Sequence, residues 1–338
     1  MRSIFLSVAA VGLLLPGVGQ AQDKTGTTAA AFLGIGVGAR ATGMGSANVA
    51  AAQGPSALYW NPSGITDMSQ SGIEFSTTAY LVDTRFSNAS AVLDLGQMGH
   101  LGLSVTNLNY GDDLVTTVDR PDGTGERWSA SDLMVGVSYA RALTDRFSVG
   151  GTVKAVRQQI YRESATGFAL DLGVMYRIPF RNTRIGMAMT NFGTDMQLAG
   201  PDLRQAIDLD LNTNGGNDRL EGQLSTSAWA LPISYHVGVA MDAYRSGQHA
   251  LLVTADAAAP SDNAQNVSVG GEYAFRDLFY VRGGYRQAFT KSEYDQGWSA
   301  GAGIRYAVSN RYALRADYVF QEMEPFGTPQ TLSVGFTF

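Results

Sequence analysis

Thr331-Leu-Ser-Val-Gly-Phe-Thr-Phe338 is the stretch whose alternation decides the fold. Leu332, Val334, Phe336 and Phe338 fall on one face, and Thr331, Ser333, Gly335 and Thr337 on the other. This period of two is the mark of a β-strand with one apolar side and one small or polar side. An edge strand of a soluble sheet would show the same pattern, so the rest of the chain has to decide what the apolar side faces.

The stretch resembles the C-terminal assembly signal of bacterial outer-membrane β-barrels. That resemblance implies that Leu332, Val334, Phe336 and Phe338 face lipid and that the barrel assembly machinery reads the terminal aromatic. At the other end, residues 1–21 have the layout of a secretory signal peptide. Arg2 supplies the charge, Ile4 to Val18 the interrupted apolar run, and Gly19-Gln20-Ala21 the small residues a signal peptidase needs. The run is short of the roughly 20 apolar residues of a membrane-spanning helix. The expected location is therefore the outer membrane of a Gram-negative cell, reached through a cleaved signal peptide.

Upstream of the last strand the pattern repeats. From residue 71 onward, fourteen segments of about ten residues alternate in character, near 71–80, 87–95, 99–109, 128–140, 147–160, 167–177, 183–191, 229–242, 249–258, 266–275, 278–287, 297–307, 311–321 and 330–338. The connections test this count. Stretches 96–99, 141–146, 179–182, 244–248, 276–277 and 308–310 are short, whereas the long ones, 110–127, 192–228, 288–296 and 322–329, all fall in the other series. Outer-membrane barrels have short periplasmic turns and long outer loops. A miscount by one strand would destroy the alternation. The expected fold is all-β: a fourteen-stranded antiparallel transmembrane outer-membrane barrel, embedded in lipid over 71–338, with an N-terminal hatch over 22–70.

Composition agrees. Forty glycines, fifteen tyrosines and no cysteine suit a barrel that satisfies its own backbone. Thirty acidic against 24 basic residues give a net charge of −6, which speaks against a nucleic-acid partner. Aromatics such as Tyr139, Tyr176, Tyr273, Trp298 and Tyr306 gather at segment ends, where interfacial girdles belong. The eighth segment is expected to present Trp229, Leu231, Ile233, Tyr235 and Val237 on one face. The inward face carries Glu74, Lys154, Asp171, Asp256, Glu272, Arg282, Arg286, Arg305, Arg315 and Asp317. Glu272, Arg282, Arg305 and Asp317 come from four consecutive segments, so a charge ladder can form in the lumen. Such charges either solvate and rigidify the lumen or form a binding site or selectivity ring.

Residues 22–70 do not alternate. They contain GARATGMGSANVAAA from Gly38 and SALYWNPSGI from Ser56, rich in small residues that allow close backbone approach. These strings resemble the N-terminal signature of the PorV/PorQ family, a branch of the FadL-like outer-membrane barrels. The matching positions are Ala39-Arg40, Gly43-Met44-Gly45 and Asn61-Pro62-Ser63-Gly64, with Ser63 in place of the usual Ala. The resemblance implies a hatch inside a fourteen-stranded barrel. It also implies an accessory role in type IX secretion, with secretion components and sorting-domain cargo as partners. The broader FadL-like resemblance implies passive uptake of hydrophobic small molecules instead. A plain porin is a further option. A phosphate-cradle reading of Gly34 to Gly45 fails because no Gly-Lys-Ser/Thr follows. Three histidines, His100, His236 and His249, form no catalytic cluster, and no enzyme is expected.

One loop carries a possible cation site. Asp210, Asn212, Asn214, the turn Gly215, Asp218 and Glu221 follow the acidic calcium-loop spacing, which wraps alternate oxygens round one point. Asn217 stands where an apolar residue is usual, and Asn, Asp and Gly also favour plain solvated loops. If Ca2+ binds the 208–221 loop, protease cutting between residues 200 and 225 should slow in calcium, and Asp210→Ala should abolish the effect. Equal cutting in calcium and in chelator would leave a solvated loop.

Overall fold

The computed structural model describes residues 26–207, 220–288, 297–309, 311–323 and 327–338. The signal-peptide segment and the calcium-loop residues Asp210, Asn212, Asn214 and Asp218 lie outside them. Glu221 lies within, exposed, in a short hairpin of Arg204–Ile207 with Leu220–Gln223.

Fourteen strands close into one antiparallel barrel. They are β1 Gly72–Ala79, β2 Arg85–Asp94, β3 His100–Leu114, β4 Arg127–Ala142, β5 Phe147–Ile160, β6 Glu163–Ile178 and β7 Thr183–Gly193. The second half comprises β8 Ser234–Ser246, β9 His249–Pro260, β10 Asn266–Phe275, β11 Phe279–Ala288, β12 Trp298–Ala307, β13 Ala313–Gln321 and β14 Gln330–Thr337. Each strand pairs with its neighbours in sequence, and β14 pairs with β1 to shut the ring. Closure leaves no unpaired edge, the condition for a sheet to stand in lipid.

The quoted C-terminal stretch is the seam. Gly72 pairs with Thr337 and Ala79 with Gln330, while Ala313 pairs with Thr337 on the other side. Leu332 and Val334 are 48% and 47% exposed on the outside, whereas Thr331 and Ser333 are buried within. Phe336 stacks between Tyr312 and Phe338, with centroids 5.9 and 5.7 Å away. The same outward alternation runs round the barrel through Phe75, Leu103, Val137, Val153, Phe168, Val237, Val281 and Ile304. In water so much contiguous apolar surface would drive association; in a bilayer each such side chain is worth about 1.5–3 kcal/mol once out of water.

The eighth strand departs from the sequence-based boundaries. It begins at Ser234, not near 229, because Pro232 has no N–H to give a ladder. Trp229 pairs instead with Met196 in a two-residue ribbon, and Leu231 turns inward, buried, rather than sharing the outer face of Tyr235.

Residues 26–70 thread the lumen from the long-loop end to the short-turn end. Ala29 N donates to Ala230 O near the loops, and the segment leaves beside β1. It is built of single turns: Ala31–Gly34, Ala39–Thr42, Ala57–Trp60 and Pro62–Asp67. Its apolar residues fill the barrel in three clusters. Phe32, Leu33 and Val37 pack with Phe86, Leu108 and Met134; Leu58, Trp60 and Ile65 with Val92 and Ala140; Met44, Ala50 and Ala51 with Ala240 and Leu252.

Contact is close enough that glycines face each other across it. A β-carbon on Gly45, at φ +65°, would lie 2.7 Å from Tyr285 N, and one on Gly284 would lie 2.1 Å from Gly45 N. Gly43 is less confined: its β-carbon would stand 3.0 Å from Ala39 O and 3.3 Å from Val319 Cγ2. Gly45→Val should therefore expel the hatch turn while the barrel still assembles. The expected result is a heat-modifiable barrel with raised conductance in planar bilayers and Gly43→Ala near wild type; wild-type conductance for Gly45→Val would refute this packing.

Candidate functional site

An irregular chain inside a barrel must find partners for backbone groups that no ladder supplies. The wall supplies them through side chains. Ala39 N donates to Ser333 Oγ at 2.8 Å, Gly45 N to Ser299 Oγ at 3.0 Å, Val49 N to Asp256 Oδ2 at 2.6 Å, and Ala30 N to Gln158 Oε1 at 2.8 Å. These acceptors belong to strands spread round the barrel, so the hatch is tied to several sides at once.

The turn Asn61-Pro62-Ser63-Gly64 is a second tie. Asn61 is fully buried, and its Nδ2 donates to Val49 O and to Val174 O on β6, both at 3.1 Å. Its Oδ1 accepts from Ser63 N at 3.1 Å and Ser63 Oγ at 2.7 Å, capping the 3-10 turn that Pro62 opens. Ser63 thus adds a bond that an Ala could not. Gly64 passes Ala52 O so closely that a β-carbon would lie 2.7 Å from it.

The third tie is ionic. Arg40, on the turn Ala39–Thr42, donates through Nε and Nη2 to Glu272 at 3.0 and 2.9 Å and through Nη1 to Ala51 O at 2.8 Å. Arg282 reaches Glu272 through Nε at 2.6 Å and Asp317 through Nη1 at 2.7 Å. Arg315 closes the cycle on Asp317 at 2.7 Å, with Glu272 3.6 Å away. Both Arg282 and Arg315 lie over the Tyr280 ring, about 5 Å from its centre.

Of the ten charges predicted inward from the sequence, four meet here: Glu272, Arg282, Arg315 and Asp317. Arg305 does not. The β12 residue opposite Asp317 is Gly303, where a β-carbon would fall 2.0 Å from Asp317 Oδ1, and Arg305 stands exposed at the short-turn mouth. Arg286 is also separate, at the loop end beside Tyr59 and His236.

Three participants, Arg177, Arg184 and Asp67, escaped the sequence reading, and so did one pairing. Lys154 and Asp171 were assigned inward, but their 2.5 Å pair, joined by Asn191 at 2.9 Å, depends on a local shift in β6–β7 register. Arg184 and Arg177 face Asp67 of the hatch. The alternation of 183–191 places Arg184 on the side of Gly186 and Ala188, a signal that was available. The turn holding Asp67 gave none.

The hatch divides the lumen. On the short-turn side lie cavities of about 540 and 150 Å3; on the loop side lie cavities of about 340 and 110 Å3. The two sets share no lining residue.

A closed fourteen-stranded barrel with an outward apolar belt, a polar lumen and a sealed-in hatch defines an outer-membrane β-barrel protein with an internal plug. Solved structures agree on the fold. The CymD monoaromatic hydrocarbon channel superposes with a TM-score of 0.58 at 15% identity, covering 89% of this chain and 97% of that one. The Pseudomonas putida toluene transporter TodX gives 0.57 at 13% identity, with 89% and 98% covered. The Ralstonia pickettii toluene transporter TbuX gives 0.54 at 15% identity, with 89% and 97% covered. A comparison with curated proteins finds no significant match. The family model described as "Type IX secretion system protein PorV" matches residues 18–204, more than half of the chain, and the chain belongs to that family.

Glu272 is the shared anion of three arginines. Glu272→Gln should cost about 3–5 kcal/mol, the scale for removing one partner of a buried ion pair. Urea unfolding of the detergent-solubilised barrel measures it. Because the residues form one network, adding Arg40→Met should recover part of the loss; strictly additive losses would show that Arg40 and Glu272 do not interact.

Proposed function

We propose that this protein is an accessory component of type IX secretion, working through its outer loops on secretion components and sorting-domain cargo. The observation that carries the reading, beside family membership, is the hatch locked across the lumen. Hydrogen bonds from at least four strands, the Asn61 turn and the Arg40–Glu272 pair hold it. A solute moving end to end would have to displace these together. A barrel sealed in this way offers partners its rims rather than its lumen. The largest rim feature is the connection between β7 and β8, residues 194–233, which carries two short ribbons.

A second reading is passive uptake of hydrophobic molecules. It is favoured by the fold shared with a monoaromatic hydrocarbon channel and toluene transporters. The smaller loop-side cavity, of about 110 Å3, also presents Leu33, Tyr59 and Trp60.

In a strain with an active type IX system, shortening the β7–β8 connection should remove cargo from the cell surface, while Arg286→Gln in the lumen should leave display intact. Normal display in the loop variant, with hydrophobic uptake lost in the Arg286 variant, would favour the transport reading instead.

A further inference from the structure

Arg184 on β7 is a buried charge with a single distant counter-ion among the described residues. Its side chain is 3% exposed, and its nearest carboxylate oxygen, Asp67 Oδ2, stands 4.0 Å from Nη1. Among the described residues no hydrogen bond satisfies its Nε. The same Asp67 is already engaged by Arg177. A guanidinium taken out of water without partners is costly, and such groups normally find a counter-ion.

Arg184 also stands where two cavities meet. The short-turn cavities of about 540 and 150 Å3 share five lining residues: Arg40, Gln53, Asn182, Arg184 and Arg315. All five present N–H donors. The carboxylates lie on one side or the other: Asp67, Glu74 and Asp317 line only the larger cavity, and Asp242, Glu272 and Asp277 only the smaller. Arg315 is held by Asp317 through Nε, and its Nη2, 3.6 Å from Glu272 Oε2, has no acceptor at hydrogen-bond distance. Arg40 is engaged by Glu272, Ala51 O and, at 3.5 Å, Asn48 Oδ1, so it contributes mainly its field.

We propose that the Arg184–Arg315 junction beneath the hatch binds a phosphate-type oxyanion that enters from the short-turn, periplasmic end. The donors decide the class. Guanidiniums arrive from β7 and β13, and amides from the hatch and the 179–182 turn, so they converge from different elements. A planar carboxylate has two oxygens on one edge and cannot meet donors from all these directions. A tetrahedral anion has four oxygens and can. The cavity of about 540 Å3 leaves room for a small organic group on the anion. This site lies across the hatch from the loops that the secretion reading uses, so it stands or falls apart from that reading.

The test uses the full chain in detergent, in chloride buffer at fixed ionic strength, titrated calorimetrically with inorganic phosphate. Wild type should bind one phosphate. Arg184→Gln and Arg315→Gln should each weaken binding about tenfold or more, the scale of losing a charged hydrogen bond. Arg162→Gln, at the loop end, should change nothing. Arginine-directed labelling read by mass spectrometry covers the case in which a variant fails to fold: phosphate should protect Arg184 of the wild type from modification. Absence of phosphate binding, undiminished binding by folded Arg184→Gln, acetate binding as tightly as phosphate, or labelling of Arg184 unaffected by phosphate would each overturn the proposal.

Discussion

Backbone hydrogen bonding without water is the constraint on which everything else here depends. The wall meets it by closing β14 onto β1, which leaves every strand paired on both sides. The hatch cannot meet it that way. Its turns are too short to bond internally for long, so its N–H groups lean on Ser299, Ser333, Gln158 and Asp256 of the wall. The polar lumen is therefore half of a paired structure. Remove the hatch and these wall groups lose their partners; remove the groups and the hatch has buried donors with nowhere to go.

The ionic cluster adds register. Burying several charges is expensive, and well-packed apolar residues would often be as stable. What Glu272, Arg282, Arg315 and Asp317 provide is a socket that accepts one cation at one height, and Arg40 is that cation. The apolar clusters formed by Phe32, Leu58 and Met44 are tolerant of sliding by comparison, because hydrophobic contact has no direction. Gly303 belongs to the same device: any side chain there would displace Asp317.

Most of the wall was legible in the sequence because a period of two records which face a residue takes, and turn lengths record which end a connection occupies. Leu332 and Val334 outside, with Ser333 inside, followed from alternation alone. Height along the barrel was not recorded. Arg305 and Gly303 share a face, and only the register of β12 on β13 shows that Gly303, not Arg305, meets Asp317. Pro232 was a readable break in the eighth strand whose local meaning the longer alternating run obscured. Of the site, the small-residue motif marked Arg40, Gly43, Gly45 and Asn61 as special. It carried no sign of their partners, which lie more than two hundred residues away for Arg40 and more than one hundred for Asn61.

The two ends of the lumen are chemically unlike, and the hatch is the border. Toward the loops the interior holds an apolar cluster of Phe32, Leu33, Phe86, Leu108 and Met134 beside smaller cavities that Arg286 and Asp262 line. Toward the short turns lies the largest of the described hollows, lined by Arg40, Arg177, Arg184, Arg305 and Arg315 with Asp67, Glu74 and Asp317. Charge gathered at the short-turn mouth costs less than charge in the middle of the barrel, because water can reach it there. The hatch is a partition between the loop-side cavities and the larger hollow at the short-turn end. The buried pair at Arg40 and Glu272 holds that partition in place from the solvated side.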